Sequence, residues 1–231
     1  MNPLPILLLP GMDGTGDLFR EFVSHTPRTF APRVVPLPDL ASYDDLLTAL
    51  VTEVPPHGKL AILGDSFSGP LAVRLAAQHR HRVAAVILCN SFIVAPRTSL
   101  FRFLPWRLLF AFPPPAVAIR VVLAGRSASN GLVEDVRVAA AKCGARTLAA
   151  RLSTVLTLQA DSIPLEIACP VLALHGTADR LVPSANADAI VSAFPHCQRR
   201  DMPGPHLLLQ THPVQAWAAI EEFVRESGGL N

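Results

Sequence analysis

Charge is scarce in this sequence. Only 16% of its 231 residues are Asp, Glu, Lys or Arg, against roughly a quarter in an ordinary soluble domain. The formal charge is +2, and the basic residues are scattered, with Arg80-His81-Arg82 the densest group, read as a solvated helix end. No nucleic-acid partner is expected from such a balance. Cysteine is sparse as well. Cys89, Cys143, Cys169 and Cys197 stand far apart with no CxxC pair, which excludes zinc spacing and a small disulfide scaffold. Reduced thiols and no metal are therefore expected. Long apolar runs are missing too. The longest stretch without a charged residue, Met202 to Ile220, contains Pro203, Pro205 and Pro213, so no membrane span is expected. The opening apolar run, Leu4 to Leu9, is short and has no basic residue ahead of it. A secretory signal needs more than that, and the expected compartment is the cytoplasm.

What is plentiful is apolar surface. Half of the residues are hydrophobic and mean hydropathy is +0.36, which excludes disorder and leaves apolar residues beyond the needs of a core. Short apolar runs alternate with longer amphipathic segments. Leu4–Leu9, Arg33–Pro36, Leu60–Leu63, Val83–Cys89, Val171–His175 and Gln198–Asp201 read as strands, several of them continuously apolar, as parallel strands covered on both faces are. Tyr43–Val54, Ser68–His79, Ser184–Phe194 and Val214–Glu226 show helical periodicity, with Pro183 and Pro213 suited to helix starts. Such alternation predicts an α/β fold with a mostly parallel central sheet flanked by helices.

Between Ile93 and about Ile163 the alternation breaks. This stretch holds Phe101, Phe103, Trp106, Phe110 and Phe112, then Pro113 to Pro115, then two Ala/Val/Leu-rich helical segments. It reads as a helical insertion between two core strands, within a single domain spanning residues 1–231. The aromatics either line a pocket or simply pack the insertion onto the sheet. The triple proline cannot continue a helix and acts as a stiff joint.

The chemistry concentrates in three loops that follow strands. In Ile62-Leu63-Gly64-Asp65-Ser66-Phe67-Ser68-Gly69-Pro70 an apolar strand ends and a helix begins within a few residues. A turn that tight strains the residue at its apex and lifts its side chain clear of the sheet. Ser66 sits there, with a helix N-terminus aimed at it. The small residue normally found two positions later is Ser68 rather than glycine, so the helix is expected slightly farther from the strand. A simpler reading leaves Ser66 as a helix cap. His175-Gly176-Thr177-Ala178-Asp179 places Asp179 in a loop at the end of another strand, and Pro203-Gly204-Pro205-His206 places His206 after the next. Ligands of open α/β sheets bind at these carboxyl ends.

Taken together, these motifs resemble the α/β-hydrolase family in their chain order, Ser then Asp then His, from Leu4 to about Phe223. The resemblance implies Ser66 as nucleophile, His206 as general base and then acid, and Asp179 orienting the imidazole. His175 is the rival base. Asp65, beside the serine, and Asp161, at the insertion's end, occupy no strand-end loop before His206, and Asn90-Ser91 offers no carboxylate. An oxyanion hole is expected from the N–H of Met12, in Leu9-Pro10-Gly11-Met12-Asp13-Gly14-Thr15-Gly16, together with the N–H of Phe67. That G-x-x-G-x-G order reverses a dinucleotide fingerprint, and no P-loop lysine follows, so no cofactor is expected. The insertion matches the family's cap in position. The resulting expectation is a serine esterase acting on small to medium uncharged carboxylic esters. Thioester, lactone or acyl-transfer chemistry shares the same residues, and a non-catalytic ligand or partner binder is the reading from another class.

Overall fold

The computed structural model describes residues 2–96 and 104–229. Phe101 and Phe103, singled out above, lie outside the described residues. Six strands, β1 (Leu4–Leu9), β2 (Phe30–Val34), β3 (Leu60–Asp65), β4 (Val83–Cys89), β5 (Val171–Gly176) and β6 (Cys197–Met202), form one sheet in the order β2-β1-β3-β4-β5-β6. All neighbours are parallel. Helices α1 (Arg20–Ser24), α2 (Tyr43–Leu50), α3 (Gly69–Gln78), α4 (Trp106–Leu109), α5 (Ala116–Ala118), α6 (Asn130–Cys143), α7 (Ala145–Leu156), α8 (Ser184–Ala193), α9 (Leu208–Thr211) and α10 (Pro213–Glu226) fill the connections.

Alternation along each strand sends side chains to opposite faces. Leu7, Leu9 and Ile62 pack with Leu46 of α2, Leu71 of α3 and Ile190 of α8. Ile6, Leu8 and Leu63 meet Phe22 of α1 and Trp217 of α10. Trp217 stacks on Phe22 at 4.3 Å, and its indole N–H donates to the Phe22 carbonyl over 2.7 Å. Both faces are therefore dry, which is what continuously apolar strands require.

One strand moves from its expected place. The segment predicted at Arg33–Pro36 pairs at Phe30–Val34 instead, with Leu4 opposite Phe30 and Leu8 opposite Val34. Pro32 is tolerated because β2 is an edge strand, where its missing N–H breaks no ladder bond.

Between β4 and β5 the described residues from Trp106 to Ser162 are mostly helical, and irregular chain joins them to the two strands. Pro115 precedes α5, a π-helical stretch Ile119–Ala124 follows, and the Ser129 hydroxyl caps α6 by accepting from the Leu132 N–H. Ile119, Ala124, Val133 and Val136 gather around Leu207, which follows His206 in the loop after β6. Trp106 stacks on Phe110 at 5.7 Å, whereas Phe112 is exposed. Parallel register brings the carboxyl ends of β1, β3, β4, β5 and β6 to one edge of the sheet, and the five loops that follow them meet there.

Candidate active site

β3 ends in a turn sharp enough to force Ser66 to φ 48°, in the left-handed region that residues with a Cβ seldom adopt. Strand and helix close tightly around it. A Cβ on Gly64 would come within 2.6 Å of the Ser68 carbonyl oxygen, and one on Gly69 would overlap the Ser91 hydroxyl. Even with Ser68 in place of glycine the helix lies close to the strand, and the Ser68 side chain reaches the loop after β1. Its hydroxyl is fully buried and donates to the Pro10 carbonyl, tying the turn to the loop after β1. Ser91 holds the other side, its hydroxyl donating to the Ser66 carbonyl over 2.5 Å.

His206 and Asp179 arrive from the loops after β6 and β5. His206 Nε2 lies 2.9 Å from Ser66 Oγ, and His206 Nδ1 lies 2.8 Å from Asp179 Oδ2. The other carboxylate oxygen, Oδ1, accepts from the N–H groups of Leu181 and Val182 at 2.8 and 3.0 Å. The aspartate is thus divided between the backbone and the imidazole. His175 lies within β5, opposite Asp201, and the Ser66 hydroxyl meets His206 instead. His212 stands immediately before α10, at its start. The four cysteines are free, and among the described residues no cluster of His, Cys, Asp or Glu is arranged to hold a metal ion.

Asn90, which offers no carboxylate, has a structural part that its place in the sequence does not announce. At the end of β4 it takes φ 44°, and its amide donates to the carbonyls of Pro205 and His206 at 3.0 and 2.7 Å. Its Oδ1 accepts from the Gly176 N–H over 2.6 Å. One amide thereby sets the backbone on which the imidazole stands against the strand that leads to Asp179. The only trace in the sequence was an Asn at a strand end, a type that tolerates left-handed backbone.

Burial alone would lower the His206 pKa, but the hydrogen bond and charge of Asp179, with the charge of Asp65, raise it above the ordinary imidazole value. Asp65 is itself pushed up to about 7 by burial. Its folded-state pKa exceeds the unfolded 3.8, so the folded chain binds the extra proton and stability declines as pH rises between those values. Asp65→Asn is expected to remove that decline, raising Tm at pH 8 by the equivalent of on the order of 1–4 kcal/mol and little at pH 4. Matching pH–Tm profiles of wild type and variant count against this account.

Residues 39–205 match the family described as serine aminopeptidase, S33, an α/β-hydrolase family. The chain belongs to this family. The matched span contains Ser66 and Asp179 and ends at Pro205. As an α/β-hydrolase, the chain shares its fold with solved esterases. The thermophilic esterase from Thermogutta terrifontis is 21% identical, with a TM-score of 0.78 over 98% of this chain and 91% of that one. The esterase from Exiguobacterium antarcticum is 12% identical, with a TM-score of 0.79 over 97% and 93%. Among curated proteins, the pimeloyl-[acyl-carrier protein] methyl ester esterase of Aromatoleum aromaticum is 28% identical over 216 residues, covering 81% of each chain.

Proposed function

We propose that this α/β-hydrolase cleaves carboxylic esters through an acyl-enzyme on Ser66. The observation that carries this reading is the continuous path from Asp179 Oδ2 through both imidazole nitrogens to Ser66 Oγ. A serine hydroxyl is a weak nucleophile until a base takes its proton. As Oγ attacks the ester carbonyl carbon, His206 Nε2 accepts that proton, and Asp179 stabilises the imidazolium. The carbonyl oxygen becomes an oxyanion, held by the N–H groups of Met12 and Phe67. Collapse expels the alcohol, protonated by His206. Water then attacks the acyl-enzyme, giving its proton to Nε2, and the acid and free Ser66 are released. The Gly11 turn supports this placement, since a Cβ there would lie 4.0 Å from the Ser66 Cβ.

In this reading residues 1–231 form a single domain, with the insertion of about 93–163 serving as the cap. The substrate is a small to medium uncharged ester. The name of the Aromatoleum relative, a methyl ester esterase, agrees in ester class. A carboxylate buried against apolar walls without a partner costs several kcal/mol. Arg107 is exposed, as is Arg180, beside Asp179. Thioesters and lactones pass through the same steps, and rates on each class rank them.

Labelling with a fluorophosphonate tests the nucleophile, and a single adduct on Ser66 is expected. A folded protein that takes no label favours the non-catalytic binder. On p-nitrophenyl esters, neutral acyl groups should exceed matched ones carrying a distal carboxylate in kcat/KM. Equal or faster turnover of the charged set overturns the apolar site.

A further inference from the structure

Arg151 on α7 is only 1% exposed, yet none of its guanidinium nitrogens lies in a salt bridge among the described residues. Its donors go to backbone carbonyls instead. Nε donates to Leu40 over 2.9 Å, Nη2 to Pro38 over 2.6 Å, and Nη1 to Met12 over 2.9 Å. Nη1 also lies 3.7 Å from the Cys143 sulfur. The loop after β1 leaves room for this group. Gly14 takes φ +71°, and a Cβ on it would sit 2.3 Å from Nη1. On its other side the guanidinium carbon stands 5.7 Å from the centre of the Phe67 ring. Phe67 in turn stacks on Tyr43 at 5.0 Å, and the Tyr43 hydroxyl donates to the Phe67 carbonyl over 3.0 Å.

One buried cation therefore bears on the two residues whose N–H groups receive the oxyanion in the proposed mechanism. Met12 lies inside a turn closed by the Gly14 N–H donating to the Gly11 carbonyl over 3.0 Å. Holding the Met12 carbonyl restricts rotation within that turn, including the peptide that carries the Met12 N–H. Phe67 is held by its ring and its carbonyl, so its own N–H has little freedom. A guanidinium suits this task because its planar fork serves several acceptors while its face covers an aromatic ring.

We propose that Arg151 is a positioning residue of the oxyanion hole, through which the insertion sets the N–H donors of Met12 and Phe67 for the transition state. The proposal rests on the acyl-enzyme reading above. It assigns to the insertion a part in the rate of reaction as well as in covering the site. Because its donors are committed to backbone carbonyls, Arg151 is not assigned to the substrate.

The test uses the full chain with Arg151→Met and Arg151→Lys, each assayed on a neutral p-nitrophenyl ester at a temperature where the variant is folded. Inhibition by a trifluoromethyl ketone, whose adduct with Ser66 carries an oxyanion, is measured beside that by the matching methyl ketone. Losing an oxyanion donor outright costs about 10²–10³ in kcat, so loosening two should lower kcat about 10- to 100-fold in Arg151→Met and less in Arg151→Lys. KM should stay within about threefold, and trifluoromethyl ketone affinity should fall in step with kcat/KM while methyl ketone affinity holds. If Arg151→Met does not fold, Arg151→Lys, which keeps the charge and the stem, carries the same comparison. Wild-type kcat in the folded variants overturns the proposal, as does a kcat loss with unchanged trifluoromethyl ketone affinity. A rise in KM confined to carboxylate-bearing esters overturns it too, since Arg151 would then be a substrate cation. A wild-type chain that neither hydrolyses esters nor takes a fluorophosphonate overturns the acyl-enzyme reading itself. Active wild type with unaffected Arg151 variants overturns only the role of Arg151.

Discussion

Replacing Ser66 with alanine will lower kcat on p-nitrophenyl esters by about 10⁴–10⁶ and leave the protein folded. The size follows from what is removed. Without Oγ no acyl-enzyme forms, and the proton path from His206 ends on a methyl group. The remaining N–H donors can still polarise a carbonyl, so a small residual rate above the uncatalysed one is expected. The fold should tolerate the change. Alanine is smaller than serine, and the backbone at φ 48° is held by neighbours that do not use Oγ, namely Ser91 on the Ser66 carbonyl and Ser68 on Pro10. Unchanged circular dichroism with lost turnover and lost fluorophosphonate labelling is the expected combination. Turnover within tenfold of wild type would falsify the nucleophile assignment.

Asp179→Asn should cost about 10⁴ in kcat, close to the effect known for the equivalent change in a serine protease. The local geometry supplies the reason here. In wild type, Oδ1 is taken by the N–H groups of Leu181 and Val182, and Oδ2 faces His206 Nδ1. An asparagine must place its carbonyl oxygen on those two N–H donors. That turns its NH₂ toward Nδ1, which must then be the unprotonated nitrogen. The proton moves to Nε2, facing Ser66 Oγ, and the imidazole can no longer accept from the serine. Charge matters as well, since Asp179 is a leading cause of the raised His206 pKa. The acid limb of any residual activity should shift to lower pH. A loss below tenfold, with the limb unmoved, rules out Asp179 as the orienting group.

The pattern of apolar runs was enough to foresee a parallel sheet, because strands buried on both faces must be apolar on both. β1 and β4 fall where that argument puts them. β2 lies three residues earlier than its expected start, and only pairing along the edge of β1 shows Pro32 to be harmless within a strand. The loops carrying Ser66 and Asp179 were legible because each follows an apolar strand, and that of His206 because it follows the next strand in order, polar though that edge strand is; parallel strands deliver such loops to one end.

The groups around them were not legible. Asn90 takes its meaning from carbonyls 115 and 116 positions away, and Arg151 from carbonyls 111 to 139 positions away. Hydrogen bonds to backbone carbonyls leave no mark on the residue type at the far end, because every residue has a carbonyl. Ser68 looked like a looser substitute for glycine until its hydroxyl was seen to reach Pro10. By itself, then, the sequence determined the fold class, the order of the strands along the chain and the three loops that bear the candidate chemistry. Periodicity and local turn chemistry act over a few residues and survive in one dimension. Only the tertiary structure decided the strand register, the 2.8 and 2.9 Å contacts through His206 and the guanidinium resting on Phe67. Those depend on which distant backbone atoms are buried against one another, and burial is a property of the packed chain.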